Sequence, residues 1–208
     1  MHPIFESLAK MKIVPVIVIN DVEKAVPLAR ALCEGGLPCA EVTFRTAAAA
    51  DAIRAITKEF PDMLVGAGTV LTSAQVDEAI AAGAKFMVAP GLNPATVRHC
   101  NDRGVPMLPG ICTPSEIEQG LSLGLEALKF FPAEAAGGAN MLKALTAPYN
   151  KMKFMPTGGL TPSNIKDYLA IKSVFACGGS WMVKDELINN GDFAKITELT
   201  REAVQLAK

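Results

Sequence analysis

The sequence has little to offer a metal ion. Its only histidines, His2 and His99, fall in no ligand spacing, and its five cysteines, Cys33, Cys39, Cys100, Cys112 and Cys177, include no Cys-x-x-Cys pair. The odd cysteine count also argues against a disulfide scaffold, so these residues read as reduced, mostly buried small hydrophobes. Neither a metal nor another cofactor is expected. A net charge of −1 leaves no excess of lysine and arginine to hold a phosphate backbone, which excludes nucleic acid as a main partner. Apolar runs are short and broken by glycine, proline or charge, too short to span a bilayer. The first residues, Met1 to Ser7, lack the basic stretch and apolar run of a secretory signal. A cytoplasmic protein with no membrane partner is expected.

What is present is a regular alternation. The chain has 208 residues, enough for one domain spanning 1–208 and little room for a second. Short β-branched runs recur at 13–19, 39–44, 63–70, 85–90, 106–111, 127–131, 153–157 and 174–177. Amphipathic, alanine- and leucine-rich segments fill the gaps. Several begin with a capping residue, as at Asn20-Asp21, Thr72-Ser73 and Thr113-Pro114-Ser115-Glu116, and several end at a glycine: Gly35, Gly83, Gly104 or Gly124. Strands alternating with helices imply parallel pairing, and eight of them fit an α/β fold, the (β/α)8 TIM barrel. Each unit averages about 26 residues, short for that fold but within its range. An open doubly wound sheet would show the same alternation. The segment from Phe5 to Met11 is an additional N-terminal helix that would cap the barrel's N-terminal end.

Charges stand where strands should be apolar. Period-2 alternation turns Ala40, Val42 and Phe44 outward and Glu41, Thr43 and Arg45 into the barrel. The same rule places Lys129 and Phe131 inside. A buried Glu41–Lys129 ion pair could merely satisfy itself. A chemical use is more informative, because burial disfavours the charged lysine and a neutral amine attacks ketones. At an ordinary pKa only about 0.04% of a lysine is neutral at pH 7, so each unit of depression yields roughly tenfold more nucleophile. An iminium at C2 of a 2-keto acid draws electrons from the C3–C4 bond, and a carboxylate such as Glu41 can carry the protons. Arg45 is suited to grip a substrate carboxylate in two-pronged fashion, and Thr69 can add a hydroxyl. Taken alone, Arg45 could equally be an exposed loop residue and Thr69 a helix cap.

Two glycine pairs follow late strands, Thr157-Gly158-Gly159 and Gly178-Gly179-Ser180. Barrels commonly bind phosphate at the loops after strands seven and eight, where bare N–H groups face the anion.

These segments, Glu41-Val42-Thr43-Phe44-Arg45-Thr46, Val65-Gly66-Ala67-Gly68-Thr69-Val70, Pro90-Gly91-Leu92, Lys129-Phe130-Phe131-Pro132-Ala133-Glu134, Pro156-Thr157-Gly158-Gly159 and Gly178-Gly179-Ser180-Trp181, closely resemble the 2-keto-3-deoxy-6-phosphogluconate (KDPG) aldolases, also called 4-hydroxy-2-oxoglutarate (KHG) aldolases. The likeness runs over nearly the whole chain. It implies Lys129 as the Schiff-base lysine and Glu41 as general acid/base, with Arg45, Thr69 and Pro90 lining the pyruvate end. It also implies Phe131 against the keto acid, Thr157 at the middle hydroxyls, and Gly158, Gly159, Gly179 and Ser180 at the phosphate. A homotrimer cleaving the phosphorylated 2-keto sugar acid to pyruvate and glyceraldehyde 3-phosphate is implied too. Two rivals use the same motifs: a phosphosugar isomerase or epimerase, which needs no Schiff base, and a non-catalytic trimeric scaffold.

Overall fold

Eight parallel strands close on themselves in a computed structural model that describes all 208 residues. The first four, Ile13–Ile17, Cys39–Thr43, Leu64–Gly68 and Met87–Val88, pair in sequence order. The fifth comes in two pieces. Met107–Leu108 pairs with the fourth strand, whereas Gly110–Ile111 pairs with the sixth, Ala127–Phe130. The break falls at Pro109, which has no N–H to give a ladder but whose carbonyl accepts from Lys129 N–H at 2.9 Å. The seventh strand, Lys153–Pro156, pairs with the sixth, and the eighth, Cys177–Gly179, pairs back onto the first. Two isolated bridges, Phe154 with Val174 and Thr157 with Gly178, complete the ring between seven and eight. The arrangement is the (β/α)8 barrel and not the open doubly wound sheet.

Helices alternate with the strands on the outside. The capping reading holds at Thr72, whose hydroxyl accepts from Gln75 N–H, and at Thr113, where a full capping box forms with Glu116. Gly83 ends its helix in the left-handed conformation as expected. Gly35 does not, with φ −72°; there a Cβ would meet the Thr200 side chain at 2.5 Å, so glycine serves close packing against the C-terminal helix Phe193–Leu206. The Asn20-Asp21 signal opens a short 3-10 turn, Val22–Lys24, before the helix Ala25–Glu34.

The additional helix runs from Pro3 to Met11 and buries Phe5 and Leu8. Phe5 stacks 6.0 Å from Phe175, just ahead of the eighth strand, and the Met1 amino group lies 3.2 Å from Glu126, just ahead of the sixth. The helix thereby crosses the N-terminal opening of the barrel. One continuous cluster of 60 buried apolar residues runs through the molecule. Each fully buried Leu, Ile or Phe in it contributes about 1.5–3 kcal/mol. No helix is long and apolar enough to cross a membrane.

The strands are shorter than the sequence pattern, which runs to 19, 44, 70, 131 and 157 where strands one, two, three, six and seven stop at Ile17, Thr43, Gly68, Phe130 and Pro156. The eighth and fourth differ most. The eighth strand reaches Gly179, so Gly178 and Gly179 belong to the strand and do not follow it. Glycine's weak strand propensity hides a segment whose place is set by its neighbours, Val14 and Pro15, across the ladder. The fourth strand is only two residues long because Lys85 and Ala89 bond outside the regular ladder, to Val65 and Leu108 carbonyls.

Candidate active site

Glu41 and Lys129 meet inside the barrel. Glu41 sits in the middle of the second strand, opposite Val16 on one side and Gly66 on the other. Lys129 sits in the sixth, opposite Gly110 and Met155. Their side chains are 1% and 6% exposed, with Lys129 Nζ 3.5 Å from Glu41 Oε1. Room for the carboxylate comes from Gly68, where a Cβ would fall among the Glu41 side-chain atoms. The ammonium also lies 4.9 Å from the centre of the Phe131 ring, within reach of a cation–π attraction.

This pair is poorly built as a structural ion pair. The contact is long, and Glu41 Oε2 is buried without a partner. A buried pair offsets its desolvation only when geometry is good and its remaining atoms are satisfied. Thr157 Oγ1 is a second buried oxygen without a partner, facing Gly178 across the last bridge. A carboxylate oxygen and a hydroxyl, both buried without a partner, leave hydrogen-bonding capacity for an incoming polar molecule.

Above them is a cavity of about 370 Å³ lined by Arg45, Phe131, Thr157, Gly158, Gly159, Gly179 and Ser180, with Val16, Val18, Leu160, Gly178 and Asp185. Seven of the eleven residues singled out in the sequence thus share one mouth, at the C-terminal ends of the strands. Arg45 Nε donates to Thr43 Oγ1 at 3.2 Å, and Thr43 in turn donates to the Ile17 carbonyl at 2.8 Å. The hydroxyl steers the guanidinium while leaving most of its N–H groups free. Cys112 Sγ lies 2.7 Å from the Phe131 carbonyl and steadies the loop carrying that ring. Burial and the nearby Glu116 push the Cys112 thiol up, against a smaller opposing effect of the bond to Phe131, so it stays protonated at neutral pH.

Thr69 and Pro90 follow the third and fourth strands and do not line the cavity. Thr69 is not a helix cap, since Thr72 takes that place. It has φ 57°, an uncommon conformation for a β-branched residue, directly after the Gly68 that accommodates Glu41. The Pro90 carbonyl packs on Gly110, where no Cβ could fit. Gly179 is also closer packed than a simple phosphate loop requires, for a Cβ there would strike the Trp181 ring. Thr43, Gly68 and Cys112 escaped the sequence reading as site residues. Inward alternation pointed to Thr43, and no local signal marks the other two. A larger cavity, about 760 Å³, lies elsewhere, on the barrel flank between the helices Gly138–Thr146 and Ile165–Leu169.

The family model for KDPG and KHG aldolase matches residues 4–199. The chain belongs to the KDPG and KHG aldolase family. It is 51% identical to a 2-dehydro-3-deoxy-phosphogluconate aldolase of Treponema pallidum, over 99% of this chain and 98% of that one. It is 50% identical to a KHG/KDPG aldolase of Escherichia coli, over 94% of this chain and 92% of the other. Among solved structures, the KDPG aldolase of Legionella pneumophila, with pyruvate captured as a covalent carbinolamine, superposes with a TM-score of 0.92 at 42% identity. That match covers 96% of this chain and 95% of the other. Members of this family are lyases, and a carbinolamine is the adduct that an amine forms with a ketone before losing water.

Proposed function

We propose that this chain is a Schiff-base aldolase that cleaves 2-keto-3-deoxy-6-phosphogluconate to pyruvate and glyceraldehyde 3-phosphate and also accepts 4-hydroxy-2-oxoglutarate. The observation that carries the reading is the buried Lys129 amine beside a Glu41 carboxylate with one oxygen left free. Lys129 Nζ adds to the C2 carbonyl carbon, and the carbinolamine loses water to give an iminium. Glu41 takes the proton of the C4 hydroxyl. The C3–C4 electron pair moves into the iminium, releasing the aldehyde and leaving an enamine. Protonation at C3 and hydrolysis then free pyruvate and restore the lysine. Arg45, Thr69 and Pro90 line the pyruvate end, with Arg45 receiving the carboxylate; Phe131 packs on the keto acid, and Thr157 meets the middle hydroxyls. Gly158, Gly159, Gly179 and Ser180 receive the phosphate. The iminium is the electron sink, so no metal or cofactor is invoked.

The reading extends to residues 1–208 as one catalytic domain, to a homotrimer and to the cytoplasm, as in a family of small metabolic enzymes. The deciding experiment is reduction with borohydride in the presence of pyruvate, followed by peptide mass spectrometry. One reduced adduct per chain at Lys129 is expected. An adduct on another lysine, or none, removes the Schiff-base mechanism and leaves an isomerase or epimerase as the better account of the same cavity.

A further inference from the structure

Three consecutive carbonyls in the loop after the seventh strand are all engaged on one side. Thr157 O accepts from Ala133 N–H at 2.8 Å, Gly158 O from Glu134 N–H at 3.1 Å, and Gly159 O from Asn164 Nδ2 at 3.1 Å. In a planar trans peptide the C=O and the following N–H point in opposite directions. Holding these carbonyls therefore turns the N–H groups of Gly158, Gly159 and Leu160 the other way. Gly158, Gly159 and Leu160 line the 370 Å³ cavity, whereas Ala133, Glu134 and Asn164 do not. None of the three N–H groups donates to a protein acceptor. The loop is a row of free donors turned toward the mouth.

Two of the three clamps are backbone groups. The third is the Asn164 side chain, and it is fixed at both ends, because its Oδ1 accepts from Thr161 N–H at 2.8 Å. A clamp is needed at this point. Gly159 has φ 81°, and a glycine peptide can flip there with little steric penalty. A flip would turn the Gly159 carbonyl toward the anion and the Leu160 N–H away from it. The following helix, Ile165–Leu169, also supplies Tyr168, whose hydroxyl donates to Glu134 Oε1 from a fully buried ring. Burial, and then the bond to Glu134, push the Tyr168 phenol well up, so it remains a donor at any physiological pH. One short helix thereby holds both the Glu134 and the Gly159 ends of the loop.

We propose that Asn164 is a positioning residue for anion recognition, and that by holding the Gly159 carbonyl outward it makes Leu160 N–H a further phosphate donor beside the two glycines. The proposal rests on the reading above, in which the substrate phosphate sits at this loop.

The test uses the full-length, 15N-labelled protein titrated with inorganic phosphate, with no sugar acid present. Leu160 N–H is expected to shift together with Gly158 and Gly159 at one common phosphate concentration. In Asn164→Ala the Leu160 shift should vanish and phosphate affinity should fall roughly tenfold, the usual scale for a lost hydrogen bond to a charged group. Asn164→Asp keeps the acceptor for Thr161 N–H but sets a carboxylate against the Gly159 carbonyl. It should weaken phosphate in the same way while preserving the turn.

Kinetics supply the readout that a purely structural role would not produce. KM for the phosphorylated substrate should rise roughly tenfold in both variants with a smaller change in kcat. The loss on 4-hydroxy-2-oxoglutarate should stay within about threefold, below that hydrogen-bond scale. Equal losses on the two substrates, an unmoved Leu160 N–H in the unaltered protein, or unchanged phosphate affinity in both variants would each overturn the proposal. Absence of a pyruvate adduct at Lys129 would defeat the aldolase reading instead, and the phosphate titration would still decide the cradle.

Discussion

The two halves of the barrel are built differently. Strands one to four lie in one sheet, and the second and third pair over five successive residues, from Cys39 with Leu64 to Thr43 with Gly68. Strands five to eight are interrupted. Pro109 splits the fifth, Pro156 ends the seventh, and only two isolated bridges join seven to eight. The helices follow suit, closely packed beside the first half and parted by the 760 Å³ groove beside the second. The regular half contributes short, held groups: Glu41 in the middle of a strand, and Arg45 steered by Thr43. The irregular half contributes the lysine and a loop whose N–H groups have no backbone partner. Complete ladders consume backbone donors, so a site that recognises an anion through N–H groups has to sit where the ladder fails.

The largest test of that division is Lys129→Arg, which should abolish cleavage and the borohydride adduct, since a guanidinium stays protonated and forms no imine. Measurable turnover in this variant would put the nucleophile outside the irregular half. Next comes Glu41→Gln, expected to bind pyruvate but turn over at least about a hundredfold more slowly, the scale of lost general acid/base catalysis. Single-turnover rates within about threefold of the parent would show that the regular half does not move the protons.

Gly68→Ala tests how tightly that carboxylate is seated. The added methyl would press on Glu41, for about 1–3 kcal/mol of lost stability and a fall in kcat that exceeds any rise in KM. An unchanged kcat would mean that Glu41 tolerates displacement. For the anion end, Ser180→Asp is preferable to a change at Gly179, whose Cβ would strike Trp181. Ser180 is exposed at the cavity, and a carboxylate there should reduce kcat/KM for the phosphorylated substrate at least about tenfold more than for the unphosphorylated one. Matching losses would detach phosphate from this loop.

The smallest effect is expected at Thr113→Ala, which removes a capping box that does not line the cavity and should cost about 1 kcal/mol in urea unfolding. Glu116 is held below the usual carboxylate range. Partial burial opposes this, but bonds from Cys112 N–H, Thr113 O–H and Thr113 N–H together outweigh it. A depressed folded-state value stabilises above the unfolded pKa, and that stabilisation is lost as pH falls through the folded value. The difference between variant and parent should therefore shrink on acidification from pH 6 toward pH 3. A constant difference would assign the cap's value to the Thr113 hydroxyl alone.

Alternation of apolar runs and capped amphipathic segments was enough to count the strands and choose parallel pairing, because period and caps are local properties. The inward positions of Glu41 and Lys129 also followed from period-2 alternation, which is a property of one strand at a time. Their meeting did not follow from it, since strands two and six are brought face to face only by closure of the ring. The same is true of Gly68, Gly35 and Gly179, which look like turn residues in the sequence and are instead places where a neighbour leaves no room for a Cβ. Thr69 gave no warning of its positive φ, because glycine or asparagine is the usual sign of that conformation. Asn164 likewise reads as an ordinary loop residue. Its hold on Gly159 depends on where a short helix comes to rest beside the seventh strand, and packing across the whole barrel decides that, because the side chain's partners are fixed by chain crossings that no local pattern encodes.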